Sequence, residues 1–147
     1  MRSGAPKMIN LSSEQFVAMS EYGQGRGDIL ALFIYGSYGT KYQTPMSDLD
    51  LAVLPLPDVK LDLAEELDIT VRLMEICKTD HVNMINLYKV PVTLQMKVLE
   101  HGRLLYCADE LQLADFVELV IKRYCDFAPD LKAIYEDYDS GLKEVFL

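Results

Sequence analysis

Residues 29–35 read ILALFIY, seven apolar and aromatic residues in a row with no charged side chain among them. A strand with one face in water alternates apolar and polar residues, whereas a strand covered on both faces is apolar throughout. The run therefore predicts a central strand of a sheet that is packed on both sides. Residues 49–54, LDLAVL, form a second apolar run, and helices must cover the sheet that contains both.

The rest of the chain supplies helices and short strands around these two runs. Helical spacing of apolar residues, together with capping residues, predicts helices from Ser12 or Ser13 to Tyr22, over 59–78, over 92–101, and from Glu110 onward. Two further strands are expected at 81–87 and 103–107. The predicted fold class is α/β or α+β, with a small mixed β-sheet flanked by helices.

Glycine and proline define the segments that connect these elements. Residues 23–27, GQGRG, hold three glycines and are expected to form a loop. Residues 37–42 are expected to form a short helix, which Thr44 and Pro45 would end. A strand-to-helix turn at Gly36 and Ser37 would then present backbone N–H groups to an anion.

Length and composition suit one globular domain. The chain has 147 residues, half of them hydrophobic. Residues 1–10 are expected to be disordered or a remnant of cloning, and residues 11–108 to form the domain. Residues 109–147 are expected to form a C-terminal helical extension, which either belongs to the same domain or docks on a partner. Three widely spaced cysteines without a CxxC pair indicate reduced thiols in a cytoplasmic protein.

Charge and hydropathy argue against two kinds of binding. The net charge is −9, so direct nucleic-acid binding is not expected. No apolar run approaches the ~20 residues that a membrane-spanning helix needs, so no membrane association is expected either. An acidic chain that handles phosphates needs metal ions to bridge the like charges.

Polar residues mark the end of the first apolar run and the start of the second. Gly36 and Ser37 end the first run, and after ten residues Asp48 and Asp50 begin the second. Alternate residues of a strand share a face, so the two carboxylates project the same way and repel each other. A divalent cation relieves that repulsion, and ligands that offer only oxygen favour Mg²⁺. A glycine turn, a carboxylate pair and a nearby hydroxyl are typical of a phosphate-transfer site.

Each part of this pattern also has a purely structural interpretation. Asp-x-Asp is common in proteins, and Ser47 with Asp48 forms an ordinary turn in many loops. His81, beside the third predicted strand, contacts a nucleotide or a partner, or is a surface residue. Only the joint spacing of the glycine turn and the carboxylate pair, with an apolar strand on each side, is specific.

The run IYGSYGTKYQTPMSDLDLAVL, residues 34–54, resembles the signature of the DNA polymerase β-like nucleotidyltransferases. That signature is Gly-Ser, ten residues, Asp-x-Asp and an apolar strand. The likeness extends more faintly over residues 11–107, because KVLEHGRLLYC at 97–107 is similar to the family's closing helix and strand. It implies the polymerase β-like nucleotidyltransferase fold, with ATP as substrate and two Mg²⁺ ions.

The resemblance also implies a role for each motif residue. Asp48 and Asp50 would be catalytic and would hold the metal ions, and the remaining motif residues would bind the nucleotide: Gly36, Ser37, Ser47 and Lys41. Family members often carry glycine at the position of Lys41, whose ammonium either reaches the triphosphate or stays on the surface.

Among the minimal, stand-alone members of this family, the chain resembles the MntA-like antitoxins, which are encoded beside HEPN-domain RNase toxins. Those proteins transfer AMP from ATP to a tyrosine of the toxin and so silence it. The resemblance therefore implies a HEPN-family toxin as the protein partner.

The chain departs from the family pattern at the third carboxylate. The run VNMINL at 82–87 places Asn83 where the family usually has Asp, and Asn86 where a second Asp is usual. An amide offers a neutral oxygen to a cation but cannot act as a base, so Asn83 is expected to be a weak third metal ligand. Asp80 lies three residues away, on the opposite strand face from Asn83, and would substitute only in an irregular strand.

Three functions remain open on the sequence. The first is an antitoxin-type, Mg²⁺-dependent protein adenylyltransferase that modifies a tyrosine hydroxyl of the toxin. The second, favoured by Asn83, is an antitoxin that neutralises its toxin by binding alone. The third is an antibiotic nucleotidyltransferase, although such enzymes usually carry a further substrate-binding domain.

Overall fold

The computed structural model describes residues 7–127, which form four helices and a four-stranded sheet. In chain order the elements are α1 (Ser13–Arg26), β1 (Ile29–Tyr35), β2 (Leu49–Pro55), α2 (Leu63–Cys77), β3 (Val82–Asn86), α3 (Val92–His101), β4 (Arg103–Cys107) and α4, which covers residues 110–127. The two runs that the sequence marks as central strands are β1 and β2.

The sheet is mixed, as the alternation of helices and strands predicted. Its strand order is β3-β2-β1-β4. The central pair β1 and β2 is antiparallel, β3 joins β2 in parallel, and β4 joins β1 antiparallel. Both central strands are almost fully buried, which is why neither shows the alternation of a half-exposed strand.

Helices cover the two faces of the sheet in pairs. One face packs against α1 and α2, through Met19, Ile69, Leu73 and Cys77. The other face packs against α3 and α4, through Val98, Phe116 and Val120. Each central strand therefore contributes alternate residues to two separate cores, and both strands must be apolar on both sides.

Helix α1 extends further than the sequence predicted. Gly23 and Gly25 are helical, and the helix ends only at Gly27, whose φ of 75° is the left-handed conformation of a C-terminal stop. Packing overrides the low helix propensity of glycine here. Gly23 is buried, and a Cβ built on it would lie 2.7 Å from Cδ2 of Tyr106 in β4, so the glycine permits the close approach of helix and strand.

The expected short helix at residues 37–42 is absent, and this prediction was wrong. The chain forms successive turns instead, in which the N–H of Thr40 donates to the carbonyl of Ser37 (2.9 Å) and the N–H of Gln43 to that of Thr40 (3.2 Å). The positive φ values of Gly36 and Gly39, 79° and 74°, direct the chain out of the helical region.

The connection between β1 and β2 is anchored to the start of the described chain. The N–H of Leu11 donates to the Tyr38 hydroxyl (2.9 Å), and Gln43 Nε2 donates to the carbonyl of Ile9 (2.8 Å). The Tyr38 ring also packs edge-on against Phe16 of α1. These contacts hold the turn segment beside the sheet edge where β1 ends and β2 begins.

Helix α2 begins four residues later than predicted. Asp62 caps it by accepting from the N–H of Glu65 (2.8 Å), which satisfies a backbone donor that has no partner within the helix. Pro57 and the turn closed by the N–H of Val59 on the carbonyl of Leu56 occupy the preceding residues. The apolar spacing alone did not locate this start, because Val59 packs on the core without being helical.

The last part of the predicted C-terminal helical extension, residues 128–147, lies outside the described residues. Within residues 7–127, no helix combines the length and apolar character needed to cross a membrane.

Two glycines of α1 provide a matched test of the helix–strand contact. Gly25 has no heavy atom within 4 Å of a built Cβ, so Gly25→Ala should stabilise the fold by about 0.5–1 kcal/mol through helix propensity. Gly23→Ala makes the same chemical change but forces the Tyr106 ring to move, and it should destabilise the fold by about 1–3 kcal/mol. Urea unfolding measures both. Equal effects of the two substitutions would contradict the close packing of α1 on β4.

Candidate functional site

The register of the sheet brings three polar positions into one row. Asp50 of β2 lies opposite Tyr35 of β1 and beside Asn83 of β3. Directly paired residues of adjacent strands project to the same face, so the three side chains share the face that carries α3 and α4. Asp48, two residues before Asp50, joins this row at the sheet edge.

The Asn83 amide contacts both carboxylates. Its Nδ2 lies 3.2 Å from Oδ2 of Asp48 and 3.4 Å from Oδ1 of Asp50. One neutral donor shared between two carboxylates is a weak substitute for a positive charge. Asn83 therefore lies beside the aspartate pair, as expected. It supplies no positive charge to balance the two carboxylates.

The surroundings of Asp50 make its carboxyl harder to ionise than that of an exposed aspartate. Burial raises the pKa of the Asp50 carboxyl above its ordinary value, and the neighbouring charge of Asp48 raises it further. The hydrogen bond from Asn83 and the charge of Lys97 in α3 lower the same pKa and do not cancel these effects. A cation bound between the carboxylates would favour the ionised form of Asp50 and would relieve the repulsion between the two charges.

Gly36 packs directly against Asp50. A Cβ built on Gly36 would overlap Oδ2 of Asp50, and the φ of 79° disfavours any side chain at this position. Glycine is therefore required twice here, for its backbone conformation and for space. The end of β1 therefore lies directly against the Asp50 carboxylate.

The other three predicted nucleotide-binding residues lie on the connection between β1 and β2. Ser37 follows Gly36, and its carbonyl accepts from the N–H and the hydroxyl of Thr40. Ser47 closes the turn before Asp48, because its Oγ accepts from the N–H of Thr44 (2.9 Å). Lys41 is exposed, and its ammonium lies 5.2 Å from the Tyr42 ring centre. None of these three contacts the carboxylates in the hydrogen bonds and ion pairs of the described residues.

Asp80 and Asn86, the other polar candidates near β3, lie apart from the carboxylate pair. Asp80 is exposed, and its Oδ1 lies 3.6 Å from Nε2 of His81. Asn86 is buried at the opposite end of β3, where its amide donates to Glu66 of α2 (3.1 Å). Asn86 therefore joins β3 to α2, which is a structural role.

Sequence reasoning missed two neighbours of the carboxylates, Tyr35 and Lys97, and it named a third, His81, only as a contact for a nucleotide or a partner or as a surface residue. His81 places Nδ1 3.5 Å from Oδ1 of Asp48, Tyr35 lies across from Asp50, and Lys97 approaches from α3. Burial and the charge of Asp50 raise the pKa of the Tyr35 hydroxyl. Only Tyr35 carried a usable signal, since it directly precedes the Gly-Ser pair.

The donor set fits a hard divalent cation with few protein ligands. The two carboxylates converge, and their oxygens are ligands that Mg²⁺ takes while it keeps waters and substrate phosphates, whereas Asn83 directs its amide N–H groups to them. Among residues 7–127, no three His, Cys, Asp or Glu side chains are grouped to hold a metal ion. A metal ion here would therefore be held by Asp48 and Asp50, and its other ligands would not be acidic side chains of the described residues.

The family model "Polymerase beta, Nucleotidyltransferase" matches residues 18–111, which is more than half of the chain. The chain belongs to this nucleotidyltransferase family. The matched region runs from α1 to the start of α4 and includes the whole sheet, the glycine turn and both aspartates. A comparison with curated protein sequences gave no match.

Solved structures share this fold at low sequence identity. A chain of a toxin–antitoxin structure with AMP-PNP superposes with a TM-score of 0.66 at 21% identity, covering 86% of this chain and 98% of that chain. A chain of the tri-AMPylated Shewanella oneidensis HEPN toxin in complex with its MNT antitoxin gives 0.64 at 20% identity, covering 84% and 94%. A third structure, of the toxin–antitoxin pair MntA–HepT, gives 0.64 at 18% identity, covering 86% and 97%. At this identity the likeness establishes the nucleotidyltransferase fold.

Gly36 and Gly39 allow the contact with Asp50 to be tested separately from backbone strain. Both have positive φ, so Gly36→Ala and Gly39→Ala should each cost roughly 1–2 kcal/mol of folding stability. Only the Cβ at position 36 meets Asp50, while a Cβ at position 39 has no heavy atom within 4 Å. Isothermal titration with Mg²⁺ and a non-hydrolysable ATP analogue should show binding lost in Gly36→Ala and retained in Gly39→Ala. Similar affinities for both variants would refute the proposed importance of this contact.

Proposed function

We propose that the protein is an antitoxin that transfers AMP from ATP to a tyrosine hydroxyl of a partner HEPN toxin, with Mg²⁺, and so neutralises the toxin. The observation that carries the proposal is the convergence of Gly36, Asp48, Asp50 and Asn83 at one sheet edge. A glycine turn beside a pair of like-charged carboxylates suits a polyphosphate and its metal better than it suits a structural role.

Each chain element has a distinct task in this proposal. The turn at Gly36 and Ser37 binds the β- and γ-phosphates through backbone N–H groups, since no helix N-terminus is available there. Asp48 and Asp50 hold the metal, with Asn83 as a weak third ligand. A bound Mg²⁺ would neutralise phosphate charge and so lower the barrier to attack at the α-phosphorus. Ser47 keeps Asp48 in place through the turn it closes, and Lys41 acts on the triphosphate only by long-range attraction.

In the proposed transfer step one bond to the α-phosphorus forms, another breaks, and a residue of this chain takes the released proton. The acceptor hydroxyl oxygen forms a bond to the α-phosphorus of ATP, and the bond from that phosphorus to the pyrophosphate oxygen breaks. The hydroxyl proton needs a base. We assign the proton to Asp50, because an amide at position 83 cannot take it.

The structural neighbours support the substrate class. One was solved with AMP-PNP, and another contains a tri-AMPylated HEPN toxin bound to its MNT antitoxin. These neighbours cover most of this chain and are themselves covered almost completely. A protein hydroxyl in a HEPN toxin is therefore the proposed acceptor.

A second function, neutralisation by binding without transfer, is favoured by one observation. Asn83 replaces the third carboxylate expected from the family, and the described residues offer no other acidic side chain at the pair. In that case nucleotide binding would persist, and the toxin would be silenced by contact alone.

The decisive experiment combines the protein with ATP, Mg²⁺ and a purified HEPN toxin as the candidate partner. Intact-mass spectrometry should show AMP added to the toxin, and the Asp48→Asn, Asp50→Asn double variant should add at least 10³-fold less, as is roughly typical when a catalytic constellation is removed. Its melting temperature should not fall, because the substitutions remove like-charge repulsion.

Asp80→Asn is the matched control for the double variant. It removes a nearby negative charge from an exposed side chain that contacts His81 rather than the pair, so transfer should remain within about twofold. If the wild type adds no AMP and still blocks the toxin, the binding function replaces the enzymatic one.

Asn83→Asp tests whether residue 83 acts as a third metal ligand. A carboxylate there should strengthen metal binding and raise the transfer rate. Without metal it should destabilise the fold by about 1 kcal/mol, since the new charge joins Asp48 and Asp50 at an exposed edge where solvent screens it. Mg²⁺ should reverse that loss, because it binds only the native state.

Thermal unfolding with and without Mg²⁺ measures the effect, and Asn86→Asp is its control. That substitution places a charge beside Glu66, far from the pair, so it should destabilise the fold without rescue by Mg²⁺. Rescue of both variants, or of neither, would be inconsistent with a metal at Asn83.

A further inference from the structure

A cavity of about 300 Å³ lies between the segment that precedes α1 and the end of α2. It is lined by residues 7–11, Gln15, Pro45, Ser47, residues 77–79 and His81. Leu11 and Cys77 are buried and supply an apolar floor, whereas the lysines at positions 7 and 78 are exposed at its rim. Small-molecule sites combine an apolar surface with a few polar groups in roughly 300–1,000 Å³, so this cavity is large enough for a small ligand.

The charge of the cavity differs from that of the whole protein. The chain has 23 Asp and Glu against 14 Lys and Arg. Of the described residues that line the cavity, Lys7 and Lys78 are basic and none is Asp or Glu. Within residues 7–127, neither lysine forms an ion pair with a carboxylate. Two ammonium groups at one cavity without a carboxylate attract an anion, although the protein as a whole is acidic.

Lys78 has a backbone conformation that disfavours a side chain. It ends α2 with a φ of 55° and a ψ of 40°, and among residues 7–127 it is the one residue other than glycine with a positive φ. Helices commonly place glycine at such a position, because a Cβ is strained there. The hydrogen bond that closes the helix runs from the backbone N–H of Lys78 to the carbonyl of Met74, so glycine would close it equally well. A lysine held in this conformation indicates a task for its side chain.

The walls of the cavity are fixed by hydrogen bonds between distant parts of the chain. Gln15 Nε2 of α1 donates to the carbonyl of Ile76 in α2 (3.2 Å). Gln43 Nε2 donates to the carbonyl of Ile9 (2.8 Å), which holds the segment before α1 against the connection between β1 and β2. A cavity whose walls are already held in place costs little ordering free energy when a ligand binds.

The cavity is separate from the carboxylate pair. His81 lies between them, with its Nδ1 3.5 Å from Oδ1 of Asp48. The carboxylates of Asp48 and Asp80 contact His81 but do not line the cavity. The glycine turn proposed to bind the phosphates of ATP contributes no residue to it either. A ligand in the cavity would therefore leave the proposed ATP site open.

We propose that this cavity binds a small organic phosphate, with its phosphate group on Lys7 and Lys78 and its apolar part over Leu11 and Cys77. The proposal goes beyond the transfer reaction and does not rest on it. A phosphate monoester carries about −1.5 to −2 charges at pH 7, which suits two ammonium groups. The net charge of −9 disfavours a large polyanion, because the rest of the surface would repel it.

Isothermal titration with AMP in a metal-free buffer tests the proposal, because no metal is then present to bring a phosphate to the carboxylate pair. Wild type should bind AMP, and Lys78→Gly should bind it about tenfold more weakly, as expected when one charged hydrogen bond is lost. Lys60→Gly removes the same charge from an exposed residue outside the cavity and should leave the affinity within about twofold. The urea midpoint of Lys78→Gly should not fall, since glycine relieves the backbone strain.

Gly36→Ala separates the cavity from the proposed ATP site. It should lose the Mg²⁺-bound ATP analogue and keep its affinity for AMP, whereas Lys78→Gly should keep the analogue and lose affinity for AMP. Loss of AMP binding in Gly36→Ala, with normal binding in Lys78→Gly, would overturn the proposal and place AMP at the glycine turn. A wild type that binds no AMP, or that binds inorganic phosphate as tightly as AMP, would also overturn it. Failure of the wild type to bind the ATP analogue would count against the proposed function alone, because the AMP titration contains no metal.

Discussion

The antiparallel pairing of β1 with β2 determines where the chemistry of this protein lies. In that register Tyr35 is opposite Asp50, so the chain leaves β1 at the point where the carboxylate begins β2. Gly36 makes the arrangement sterically allowed, since any Cβ there would collide with Asp50. The apolar residues of both strands supply the driving force for the pairing, and the polar edge residues are brought together as a consequence.

The negative charges of Asp48 and Asp50 explain why this edge of the sheet favours a cation. Burial raises the pKa of Asp50, and the charge of Asp48 raises it further, while the amide of Asn83 is a neutral donor that the two carboxylates share. A site in this state favours a cation, and a cation there in turn attracts phosphates to an acidic protein. The exchange of a third carboxylate for Asn83 weakens this tendency without removing it.

Sequence patterns were sufficient for elements whose structure depends on residues close together in the chain. The unbroken apolar runs identified both central strands, and helical spacing located α3 at its observed ends. Local signals failed where packing decided. Three glycines predicted a loop, but the close packing of Gly23 on Tyr106 stabilises a continuous helix through these residues. The turns after Gly36 were mistaken for a helix, because positive φ angles and contacts with Leu11 and Ile9 are not visible in spacing.

The sequence by itself determined the fold class, the two buried strands and the presence of a glycine turn ten residues before an aspartate pair, since these depend on side-chain period and backbone freedom. It also identified Asn83 as the departure at the third position. Only the tertiary structure decided that Asn83 lies between both carboxylates, that Asp80 faces His81 instead, and that Asn86 serves α2. The reason is that strand register joins Asn83 to Asp48 across 35 positions and helix placement joins Asn86 to Glu66 across 20, and no spacing within one segment encodes such distances.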